Sequence, residues 1–148
     1  MKLCLKNPLV LMLYCLMAGM FITVSFLETP LKFQVPGMTL PTALELGKLI
    51  FGISTNIQGG FFLLIFMFMF ISRRNYTKLD FITIGLLIFI LILEKFWILP
   101  VLDSHVDLLS SGKLLPPTPL HDFFIYTETA KAVILTLAVI LQFKKHII

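Results

Sequence analysis

The sequence predicts an all-α, integral membrane four-helix bundle, antiparallel, with both termini cytoplasmic, and three observations carry that prediction. Composition is the first: 58% of the 148 residues are hydrophobic and 14% charged, which is more apolar surface than one soluble core of this size can hide. Second, four segments reach the roughly 20 mostly apolar residues needed to cross about 30 Å of hydrocarbon. They cover about 8–27, 43–71, 81–102 and 123–143. Third, the basic residues are unevenly placed. Lys2, Lys6, Arg73, Arg74, Lys78, Lys144 and Lys145 flank the spans on one side, against Lys32 and Lys113 on the other, and such a bias marks the cytoplasmic face. Residues 1–148 are therefore expected to form a single four-span domain, multi-pass, in a bacterial inner membrane.

The first span follows Lys2 and Lys6 as a signal peptide would. Its apolar run of about 19 residues is longer than a signal h-region, and no small-x-small cleavage site precedes Glu28. It is expected to be retained. Cys4 and Cys15 fall at different depths of one helix, which suits packing rather than a disulfide. Gly19 and Thr23 offer a close-packing patch. In the second span "TALE", Thr42 to Glu45, has the spacing of a capping box. Behind it Glu45, Lys48, Gly52, Asn56 and Gly59 recur at three- and four-residue steps, a stripe expected to face protein.

The third span opens on a similar box, "TKLD", Thr77 to Asp80, and "SSGK" supplies Gly112 to end it. Its helix is thus expected to carry Asp103, His105 and Asp107 beyond the membrane. Thr118 can cap the fourth helix, with Pro119 at its first position. That helix shows His121, Phe124, Glu128, Lys131 and Gln142 on one face.

Charges inside the spans are the most informative feature. At about 1.5 Å per residue, Glu94 and Lys95 lie roughly 10 Å below the outer boundary, and Glu128, Lys131 and Asn56 reach the same layer from other helices. Charges at such depth persist where they pair or line a wet cavity. Glu94 and Lys95 are accordingly expected to avoid lipid, Glu94 pairing with Lys131, and Lys95 with Glu128 or with Asn56 and the Phe96 carbonyl that Pro100 leaves free. The candidate ligand-binding set is Glu94, Lys95, Glu128, Lys131, Asn56, Glu45, Lys48 and His121. Two readings stay open for it: a pocket lining, or a self-neutralising network that only fixes helix register.

Several classes drop out. A di-metal bundle uses Glu-x-x-His, whereas "ELGK" and "ETAK" put Lys at the His position, and an ammonium repels a cation; no buried metal is expected. No Gly-rich phosphate loop or assignable catalytic triad is present, so no cofactor is assigned. The basic rim suits anionic lipid, not nucleic acid. "FITVSFLETPLKFQVPG" followed by "LELGKLIFG", then a third span ending in an acidic residue and Pro before a polar extension, resembles the four-span membrane family of the platinum-resistance-associated vertebrate transmembrane protein and its bacterial relatives. The likeness covers about half the chain, departs from it at Lys95 and "ETAK", and implies a four-helix bundle without transferring a site. The expected partners are membrane lipids with either a small polar or amphipathic ligand or a partner membrane protein. In the second case the chain is an accessory or structural subunit.

Overall fold

The computed structural model describes residues 2–112 and 119–146, and the side chains of all of these except residues 2, 3, 120, 121, 145 and 146. A short strand β1 (Lys2–Leu5) leads into helix α1 (Pro8–Lys32), followed by α2 (Leu40–Ile71), α3 (Lys78–Ser110), α4 (Leu120–Ile140) and strand β2 (Phe143–His146). Each helix packs on its neighbours in sequence, and α4 closes back on α1. All four are long and apolar enough to cross a membrane. Their outward surfaces carry exposed Leu49, Leu63, Phe70, Ile82, Phe89 and Val133, as helices apolar on all sides do in lipid.

The half of the bundle nearest the termini holds the apolar core. Val10, Tyr14, Met17 and Phe21 line one face of α1 and meet Phe62, Ile65 and Met69 of α2, Ile84 and Leu87 of α3 and Leu135 of α4. At the same end β1 pairs antiparallel with β2, Leu3 opposite Lys145 and Leu5 opposite Phe143. The far half is different, because its interior is polar.

Helix boundaries differ from the sequence expectation in ways that matter for the site. α1 does not stop near Leu27 but continues through Pro30 to Lys32. It does so by a wider, π-type turn over Thr23–Glu28, where the Thr29 hydroxyl donates to the Val24 carbonyl five residues back at 3.1 Å. The same device recurs in α3 over Glu94–Ile98, with the Leu99 N–H donating to the Glu94 carbonyl just before Pro100. A wider turn shifts the hydrogen-bond register ahead of a proline that cannot donate, so the helix passes it unbroken.

The cap of α2 is Thr39, not Thr42. Its hydroxyl oxygen accepts the Thr42 N–H at 3.4 Å, and Pro41 sits harmlessly in the first turn. "TKLD" does form its box: Asp80 accepts the Thr77 N–H at 2.7 Å. α3 ends at Ser110, with Gly112 at φ +77° closing the turn. α4 begins one residue after Pro119, and the expected cap Thr118 lies outside the described residues.

The stripe expected on α2 is rotated. Its buried line is Ala43, Gly47, Ser54, Gln58, Phe62 and Ile65, while Gly52 and Asn56 are exposed. Ser54 and Gln58 are part of that buried line, and there the Gln58 amide N–H donates to the Ser54 hydroxyl oxygen at 3.1 Å. Gly19 is not a close-packing position either; a Cβ there would meet nothing within 4 Å.

Candidate functional site

The polar half is built in two storeys. The deeper one is centred on Lys131, which α4 carries into the bundle with its side chain 2% exposed. Its ammonium donates to Glu94 Oε2 on α3 and lies 2.7 Å from Glu128 Oε1, one turn away on α4. Ser25 on α1 donates to the other Glu128 oxygen, and the Phe21 ring faces the ammonium at 4.9 Å. Glu94 Oε1 is buried without a partner among the described residues. The expected Glu94–Lys131 pair is therefore present, and Glu128 joins it from the same side. Two carboxylates share one ammonium, which leaves an excess of negative formal charge.

The centre of the upper storey, Glu28 and Lys32, was not legible in the sequence, although Lys48 on its wall was a candidate. Lys32, brought in by the extension of α1 past Pro30, has a side chain 6% exposed. It lies between the rings of Phe33 and Phe51, each 5.6 Å from the ammonium. Its ion pair with Glu28 is 3.7 Å long, beyond hydrogen-bond reach, and both Glu28 carboxylate oxygens are buried without a hydrogen-bond partner among the described residues. Gly47 makes room for the ammonium, since a Cβ there would stand 2.6 Å from Nζ. Lys32, Gly47, Lys48, Phe51, Asp103 and Phe124 share the wall of a cavity of about 110 Å³ in the half of the bundle away from the termini.

The remaining candidates are spread around this chamber. Lys48 lines it and donates to Asp107 on α3 at 2.8 Å. Glu45 is no capping residue; it accepts from the Ser110 hydroxyl at 2.8 Å, tying α2 to the end of α3. Lys95 does not join the buried network. It is exposed, and its ammonium donates to Asn56 Oδ1 at 2.6 Å on the outer surface of the bundle. The physical reason is angular: Glu94 and Lys95 are successive residues of one helix, about 100° apart, so burying one turns the other out. The side chain of His121 lies outside the described set. Among the described residues no three His, Cys, Asp or Glu side chains gather into a metal-ligating group.

A second polar assembly, also unforeseen, closes the other end. Lys6 donates to both oxygens of Asp80 at 2.7 Å, with side chains 7% and 1% exposed. The Tyr76 hydroxyl donates to Gln142 Oε1 at 3.4 Å. Burial, and then the Asp80 carboxylate, pushes the Tyr76 phenol up to about 12, so it remains a donor across ordinary pH. Comparison of the chain with family models, curated proteins and solved structures finds no match.

Proposed function

We infer that the chain is a membrane-embedded binding protein whose upper chamber takes a small polar or amphipathic ligand, and that it sits in a bacterial inner membrane with both termini cytoplasmic. One observation carries the ligand reading. Lys32 is a buried ammonium beside the Phe33 and Phe51 rings and next to a carboxylate with no hydrogen-bond donor among the described residues, at the edge of a cavity. Buried charges without full partners are costly, and a ligand that accepts from Lys32 while resting on Phe33, Phe51 and Phe124 relieves that cost. The orientation rests on the basic flanks, Arg73, Arg74, Lys78 and Lys144 at the end where the termini meet. The likeness of the first two spans to the platinum-resistance family belongs to the same proposal and adds only the bundle.

The test is native mass spectrometry of the detergent-purified protein, comparing wild type with Lys32→Met and Gly47→Ala. The Gly47 variant keeps the charge but pushes the ammonium aside, and because Nζ ends a flexible stem the fold should survive. Wild type is expected to retain a small molecule that both variants lose, with Gly47→Ala melting as wild type does. Equal retention in all three would sink the chamber reading. A second reading, an accessory subunit, is favoured by one observation: Glu94 and Lys131 are each 2% exposed and line none of the three cavities described for the bundle. These two charges act as a lock in either reading.

A further inference from the structure

The surface between α2 and α3 bears a groove of about 250 Å³, walled by Gly59, Phe62 and Phe66 on α2 and by Ile88 and Leu91 on α3, with Lys95 at one end. Everything along it is apolar except that lysine. Lys95 is exposed among Ile92, Phe96 and Trp97, side chains that are themselves 50%, 73% and 55% exposed and so face the hydrocarbon. Its hydrogen-bond partner is the neutral oxygen of Asn56, and no carboxylate among the described residues pairs with it. An ammonium on a lipid-facing surface with only a neutral partner is an electrostatic vacancy for an anion.

We propose that this groove is a binding site for one anionic phospholipid of the leaflet opposite the termini, its acyl chain lying along Gly59 and Leu91 and its phosphate drawn to Lys95. Polarity of the groove supports this. Lys95 marks its end farther from the termini, and Ile88 lies seven residues, or about 10 Å, deeper along α3, which is the order of headgroup and chain in that leaflet. Lysine's flexible stem and local thinning of the bilayer bring ammonium and phosphate together.

Charge decides between a lipid chain and a partner helix. A lipid brings its own phosphate to the one cation of the groove, whereas a helix lying across it would have to carry a carboxylate into the hydrocarbon to meet Lys95. Gly59 is the reason the groove is open, and a Cβ there would meet only Leu91 Cδ2 at 3.8 Å, so a larger side chain can fill the groove without a clash at its base.

The experiment exchanges purified protein into nanodiscs of phosphatidylcholine with a minority of phosphatidylglycerol and counts retained lipids by native mass spectrometry. Wild type is expected to retain one phosphatidylglycerol that Lys95→Gln holds about fivefold more weakly, the loss of one lysine's attraction to an anionic lipid. Gly59→Leu should lose it with Lys95 intact. Cations at the terminal end give a background common to all variants. A groove of similar volume between α1 and α4, lined by Cys15, Ala18 and Thr136, holds no charge; filling it with Thr136→Leu should leave the retained phosphatidylglycerol unchanged. Unaltered retention in Lys95→Gln, or loss in Thr136→Leu equal to that in Gly59→Leu, overturns the proposal. So does a co-purifying polypeptide that dissociates on Lys95→Gln in place of a lipid. This site is separate from the Lys32 chamber, so either can fail while the other stands.

Discussion

Lys131 serves two carboxylates, and that ratio sets what each mutation does. Replacing Glu94 by Gln leaves the ammonium paired with Glu128, whereas replacing Lys131 by Met strands both acids in a low-dielectric interior. Lys131→Met should therefore lower stability by about 3 kcal/mol, Glu94→Gln by less, and the double variant should recover part of the Lys131→Met loss, because breaking a buried pair costs more than replacing it. Thermal unfolding in detergent reads all three; strictly additive losses would show that the two residues do not interact. This pair was legible in the sequence because depth can be counted along two helices from their ends. Glu28 and Lys32 were not, because the apolar run of the first span ends at Leu27 and so left both outside the helix. Lys95 was legible as an Asn56 partner, but its outward facing was not: depth says nothing about angle.

At the scale of the element, the helices persist through residues that usually stop them. Pro30 and Pro100 are each preceded by a wider turn, and each turn carries a glutamate of the polar half, Glu28 in the first and Glu94 in the second. The extra residue in the turn re-aims the side chains beyond it, which is how Lys32 comes to point inward. Such turns have no reliable sequence signature apart from the proline itself, so span lengths were underestimated on α1 while the extension of α3 to Ser110 was foreseen from Gly112. Capping shows the same division. "TKLD" has no competing cap, whereas "TLPT" offers Thr39 ahead of Thr42, and Pro41 favours the earlier start by sitting in the first turn. Thr39→Ala should then cost about 1 kcal/mol, and Thr42→Val, which keeps the backbone N–H that Thr39 accepts, should cost less; melting temperatures ranking in the opposite order would restore the Thr42 cap.

The molecule as a whole is tied at one end and holds a chamber in the other half. Around the termini, backbone pairing of β1 with β2, the Lys6–Asp80 pair and the Tyr76–Gln142 contact join all four helices or their flanks. At the far end the interior is charged and a chamber lies between α1, α2, α3 and α4. Under the proposed binding role, rigidity at the tied end would let the far end open without disrupting the apolar core. Asp80 is where this division can be tested, because it does two things at once: it completes the α3 cap through the Thr77 N–H and receives Lys6. Lys6→Met removes only the cross-tie, and Asp80→Ala removes both. Asp80→Ala should exceed Lys6→Met in destabilisation by about 1 kcal/mol, the value of a cap. Hydrogen exchange should show amide protection falling in both variants along residues 2–6 and 142–146. Protection around Glu94 and Lys131 should stay at the wild-type level, because the deep network has its own partners. If protection falls equally at both ends, the bundle opens as one cooperative unit, and the tie near the termini does not isolate the chamber.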